Sequence, residues 1–158
     1  MKENLKIELM LIETLKALFK RDLNRLENEI ELYKNEKNLW KVEKQIANSA
    51  GNLCLHLIGN LNTYIGAGIG KSNYIRHREL EFSLKDISKV ELIGNIEKTK
   101  IIVLTSLDKL TDDQLENEYP ILVFENKTSI GFLLIHLSTH LTYHLGQINY
   151  HRRLFDLV

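Results

Sequence analysis

A chain of 158 residues, 44% apolar and 27% charged, has enough hydrophobic mass for one buried core and is read as a single domain spanning residues 1–158. Lysine plus arginine and aspartate plus glutamate each total 21, and the two signs are interleaved, so no net field draws the chain onto phosphate backbones and nucleic acid is not expected as a partner. No apolar run approaches the roughly 20 residues of a membrane span, Glu8 and Glu13 interrupt what would be a secretory stretch, and Cys54, the lone cysteine, can form no disulfide within the chain; a soluble, cytoplasmic protein with no membrane partner is expected.

From Leu5 the apolar residues recur at Leu9, Ile12, Phe19, Leu23, Leu26, Ile30 and Tyr33, steps of three, four and seven that keep one stripe on one face of a long first helix. With no glycine before Gly51, nothing breaks this helix until the polar stretch 35–38, after which Trp40 is expected to cap the bundle end. Asn48 or Ser49 opens a second helix by accepting from a first-turn amide, and it runs to about Tyr64, ended by Gly66.

A long link follows, from Gly66 to Lys85. Ser88 with Glu91 three residues on reads as a capping box for a third helix to about Leu110, carrying a Val90, Ile93, Ile101 and Leu104 stripe. Thr111 and Gln114 repeat the pattern in a short turn. The β-branched run 121–124 after Pro120 is too short for a helix and is expected as an extended arm or hairpin edge. Thr128 or Ser129 then caps a fourth helix through Phe132, Leu133, Ile135, Leu137, Leu141, Leu145 and Ile148. The fold class is all-α, a four-helix bundle; its long second connection lets helices two and three run parallel, in an up-down-down-up order.

His140 and His144 stand one turn apart on one face of the fourth helix, where two imidazoles can share an ion. A pair from one helix leaves an ion mostly bare, and His56, amid apolar neighbours in the middle of helix two, is the best third ligand. A lone histidine on an apolar helix is more often a hydrogen-bonded core residue than a ligand, so the competing reading is three core histidines that bind nothing. His136 lies one turn before His140, but successive one-turn steps drift around the helix, and it is read as a supporting or core residue. His151, beside Arg152 and Arg153 near the helix C-terminus, is expected at the surface, where the helix dipole favours positive charge. His77 falls in the long link, and Cys54, two positions from His56, is read as a buried small hydrophobe. The run 66–72, Gly-Ala-Gly-Ile-Gly-Lys-Ser, imitates a phosphate loop, but Ile65 stands where the first glycine should and no strand precedes it.

The string His140-Leu-Thr-Tyr-His144-Leu-Gly146-Gln147-Ile148, followed by Arg152-Arg153 and preceded upstream by Asn48-Ser-Ala-Gly-Asn-Leu53 and His56-Leu-Ile-Gly-Asn60, resembles the DinB and YfiT-like metalloenzyme family over nearly the whole chain. Arg78-Glu79 before Phe82 resembles, more weakly, that family's link between helices two and three. The resemblance implies a four-helix bundle, a divalent metal on His56, His140 and His144, and a homodimer.

Three neutral imidazoles leave an ion its full charge and an open position that can acidify water or a thiol. Zinc or nickel comes first, with iron, cobalt and manganese also compatible with three nitrogens. Some relatives use low-molecular-weight thiols, so the resemblance makes a thiol S-transferase acting on a small molecule the leading expectation, with a related transferase or a hydrolase beside it and a glutathione- or bacillithiol-type cosubstrate. Gln147, Asn52, Asn60 and His136 are the candidates for holding the ligand rings or orienting substrate. The alternative is a non-catalytic bundle, an interaction or stress-response protein in which any ion is a structural staple.

Overall fold

The computed structural model describes residues 2–157, apart from the side chains of 2–10 and of residue 112. Leu5 and Leu9, the first members of the predicted stripe, lie outside the described residues. From Ile12 onward the stripe is buried as the spacing requires: Ile12, Leu15, Phe19, Leu23, Leu26 and Ile30 line the inner face of α1 (Lys2–Glu31), and Tyr33 follows just beyond its end. The helix stops ahead of Asn35, whose side chain accepts from the Lys37 amide and starts a 3₁₀ turn, Glu36–Trp40.

Ser49 caps α2 (Ala50–Leu61) by accepting from the Asn52 amide, and the helix continues through a π turn, Asn62–Ala67, past the end expected near Tyr64. Within the long link lies a short helix not foreseen, α3 (Arg78–Ser83). Ser88 accepts from the Glu91 amide at the start of α4 (Lys89–Leu107), and Ser129 accepts from the Phe132 amide at the start of α5 (Ile130–Phe155). The glycines of 66–72 serve close packing, not phosphate binding: a Cβ on Gly68 would strike the Tyr119 hydroxyl and one on Gly70 the Ser106 hydroxyl, while the Lys71 amine donates back to the Gly68 carbonyl at 2.8 Å.

No strand forms among the described residues. The expected arm at 121–124 is a loop closed by one antiparallel bridge, Glu118 with Ser129, in which the Tyr119 amide donates to the Thr128 carbonyl at 2.8 Å. Pro120 has no N–H to extend the ladder, and the residues after it find no partner strand.

The chain is thus all-helical, with four longer helices around one hydrophobic cluster; α1 and α2 each pack against both α4 and α5, and α3 packs on α2. Polar bonds tie the helices at fixed levels. Thr142 donates to buried Asp22 at 2.6 Å, Arg152 to Glu29 at 2.7 Å, and the Lys34 amide to Asp156 at 2.6 Å. Lys16 pairs with Asp108 at 2.6 Å, Lys100 with Glu27 at 3.1 Å, and Asn62 donates to Thr99 at 2.9 Å.

Two stripes need correction. In α4, Val90 is 77% and Ile101 61% exposed; the core positions are Leu92, Ile96, Thr99, Val103 and Leu107. Apolar residues surround most of this helix, and the polar Thr99 at a core position hides the true register; its hydroxyl donates to the Asn95 carbonyl and accepts from Asn62. In α5, Phe132 and Ile135 face outward while Leu134 joins the core.

Candidate metal centre

α2 presents His56 and α5 presents His140 and His144 to one point. The His140 Nε2 lies 3.3 Å from the His56 Nε2 and 3.1 Å from the His144 Nε2, and all three nitrogens fall within 4.8 Å of one another. Metal–nitrogen bonds of about 2.0–2.1 Å put two ligand nitrogens about 3.3–3.4 Å apart at a tetrahedral angle and about 2.8–3.0 Å apart at a right angle. The two observed separations lie between these limits.

The outer nitrogens of two of the rings decide which inner atoms carry lone pairs. The His56 Nδ1–H donates to the Glu81 Oε2 at 3.0 Å, and the His144 Nδ1–H donates to the Gln147 Oε1 at 2.7 Å. In neutral rings both Nε2 atoms are then unprotonated acceptors aimed at His140. A proton on the His140 Nε2 can serve only one of them. The His140 Nδ1 is buried with no hydrogen-bond partner among the described residues, so no tautomer of that ring satisfies the cluster. A cation at the point where the nitrogens converge does satisfy it, and the donor set accordingly fits a divalent metal. Burial, then the neighbouring imidazoles, lowers the His140 pKa to about 4, and burial lowers that of His144, so both are neutral ligands near pH 7.

Glu81 and Arg76, unforeseen in the sequence, hold His56 in place. Glu81 is 6% exposed and accepts from Arg76 through both oxygens, at 2.7 and 2.9 Å, as well as from His56. Burial works against its ionisation, but the hydrogen bonds from His56 and Arg76 and the guanidinium charge outweigh this, and its pKa falls below the usual carboxylate value. The one legible signal was Gly59 inside a helix: a Cβ there would collide with the Glu81 carboxylate. Reading 66–85 as a polar link concealed the charge pair, because α3 is only six residues long and packs on α2.

The remaining candidates divide. Gln147 accepts from His144, as described. Asn52 reaches none of the three rings; it donates to the Glu81 and Leu84 carbonyls, both at 2.9 Å, accepts from Lys85, and so anchors α3 instead. Asn60 sits one turn beyond His56 with its Oδ1 buried and unpartnered. His136 stacks on His140 with ring centres 6.1 Å apart and lies outside the three-nitrogen group. Phe82 packs against His56 and Tyr143 against His144, with centroids 5.2 and 5.3 Å away. His77 is exposed beside Glu79, away from the group.

His151 reverses its expected surface placement. It is 3% exposed, its Nδ1 accepts from the Tyr33 hydroxyl at 2.7 Å, and its Nε2–H donates to the Lys41 carbonyl at 2.9 Å. Burial lowers its pKa, so the dipole argument for a charged ring loses to desolvation. Cys54 is fully buried and its thiol is pushed up to about 12, which makes it inert.

Fold and site together define an all-helical protein with a three-histidine cluster that can hold a divalent metal. Over residues 7–156 the chain matches the family described as protein of unknown function (DUF1572), and it belongs to that family. Against curated proteins the chain finds no match.

Proposed function

We propose that this protein is a metal-dependent enzyme of the DinB and YfiT-like type, with His56, His140 and His144 as ligands and a low-molecular-weight thiol transferred to a small electrophile. The observation that carries the metal reading is the pair of Nε2 lone pairs converging on a third ring at 3.1 and 3.3 Å. Zinc or nickel suits three nitrogens best, and one ion there supplies the Lewis acidity that turns a thiol into a nucleophile near neutral pH. The chain's own residues do the rest. Glu81 and Gln147 fix the rings of His56 and His144, Arg76 fixes Glu81, and Phe82 and Tyr143 pack against the same two imidazoles. His140 and His144 are only partly buried, which leaves a side from which a reactant can approach.

The bundle reading rests on the level of the interhelical bonds. Asp22 with Thr142 and Glu29 with Arg152 advance together along α1 and α5, whereas Lys16 with Asp108 and Lys100 with Glu27 run oppositely along α1 and α4. Such pairs support up-down-down-up. No helix of the described residues is long and apolar enough to cross a membrane, in keeping with a cytoplasmic setting. A homodimer is part of the proposal, supported by the outward apolar residues Phe132 and Ile135 on α5, and sedimentation of the untagged protein reads it directly.

Elemental analysis of untagged protein tests the metal reading: about one divalent ion per chain is expected in the wild type and none after His140→Ala. Transfer of a glutathione- or bacillithiol-type thiol to an electrophile should follow metal content. Metal-free wild type that takes up no added ion, or loaded protein inert across thiol–electrophile pairs, defeats the proposal.

A further inference from the structure

A cavity of about 530 Å³ adjoins the three-histidine cluster on the side of His144 and Gln147, between the start of α2, the segment before it and the last turns of α5. Its volume is that of a site for a drug-sized organic molecule, roughly 300–1,000 Å³. Ile46, Leu53, Tyr143, Tyr150 and Leu154 make its walls apolar and aromatic. Among the described residues its lining includes no acidic side chain, lysine or arginine.

The polar groups present have little left for a charged guest. Both ring nitrogens of His151 are already used, by Tyr33 and by the Lys41 carbonyl, and Gln147 uses its carbonyl on His144. What remains is neutral: the Gln147 nitrogen, the side chains of Gln45 and Asn48, and the Tyr143 and Tyr150 hydroxyls. In the metal-free protein a carboxylate, phosphate or ammonium entering this space would lose its hydration without meeting an opposite charge in the lining. A neutral aromatic or aliphatic body would gain apolar contact on several sides while an amide N–H bonded one oxygen or nitrogen.

We infer that this cavity binds an uncharged, largely apolar small molecule and presents it to the centre past the His144–Gln147 edge. The catalytic half of that statement rests on the metal-dependent reading above; binding itself does not. For the reaction proposed there, the cavity takes the electrophile. The hydrophilic thiol enters elsewhere.

The test compares two fluorescent probes with the same fused and pendant rings, neutral N-phenylnaphthylamine and its sulfonated relative anilinonaphthalene sulfonate, on chelated and on zinc-loaded protein. On chelated protein the neutral probe is expected to bind at one site per chain at least about tenfold more tightly than the sulfonate. Leu154→Glu, at a position 57% exposed and tolerant of charge, should weaken the neutral probe about tenfold and leave the melting curve and metal content unchanged. In cobalt-loaded protein the bound neutral probe should be quenched relative to zinc-loaded protein, which reads proximity without any turnover. Equal binding of the two probes, or indifference to Leu154→Glu, overturns the inference, as does loss of binding when the chains associate, which would assign the surface to a second copy. Metal uptake with no neutral-probe binding defeats this inference alone; probe binding with no metal uptake supports the cavity and defeats the metal reading.

Discussion

Glu81 accepts three charge-assisted or imidazole hydrogen bonds while almost wholly buried, and the His56 ring is oriented only as long as it does so. Glu81→Gln keeps the shape and removes the charge, so the proposed metal affinity should fall by about 10–100-fold, measured by competition with a chromophoric chelator. The same change leaves Arg76 without its ion-pair partner, and a lower melting temperature should accompany the weaker binding. At His151 the pH dependence has a definite sign. Its folded pKa lies below the ordinary 6.5, so the unfolded chain binds the additional proton. His140, with a folded value of about 4 against 6.5, acts in the same direction. Stability of the metal-free protein should therefore decline as the pH falls from 6.5 toward about 4, with the midpoint in urea shifting down across that window. His151→Gln should flatten the slope, whereas an unchanged slope would show that the ring does not titrate with folding.

At the level of whole elements, glycine positions tell which helix faces are crowded. Gly59 lets α3 approach α2 so closely that its absent Cβ coincides with the Glu81 carboxylate, whereas Gly94 in α4 has open space around it. Alanine at 94 should stabilise the protein by about 0.5–1 kcal/mol through helix propensity and unfolded-state entropy. Alanine at 59 gains the same propensity but must displace Glu81, so it should destabilise the fold and weaken metal binding although the residue touches no ligand nitrogen. Denaturant titration of the two variants side by side reads the contrast. The register of α4 carries the same lesson: with apolar side chains nearly all round, its inner face was set by the neighbours that met it, and Asn62, in the π turn after α2, made Thr99 a core residue.

Across the whole molecule, the hydrophobic cluster draws on all four longer helices, whereas His140 and His144 are only partly buried. His140→Ala is therefore expected to keep a cooperative melt. Its loss should appear in ligand linkage: added zinc should raise the Tm of the wild type, by an amount equivalent to about 2.7 kcal/mol at a free-ion concentration a hundred times Kd, and should leave the variant unmoved. A collapse of the variant's fold, reproduced in the wild type by chelation, would instead make the ion a staple joining α2 to α5.

Local sequence determined much of this protein because its signals were local. Ser49, Ser88 and Ser129 each satisfy an amide three residues on, the α1 spacing from Ile12 to Tyr33 predicts its buried face, and one turn separates His140 from His144 on any straight helix. Tertiary structure decided what depends on partners distant in the chain. Glu81 became a support for His56 only when α3 docked on α2, Asn52 anchored that dock instead of touching a ligand ring, and His151 was drawn inside by Tyr33 and the Lys41 carbonyl. Periodicity records which face of a helix can be buried, but the burial of a charge or an imidazole is settled by whether a complementary group arrives from elsewhere to replace water.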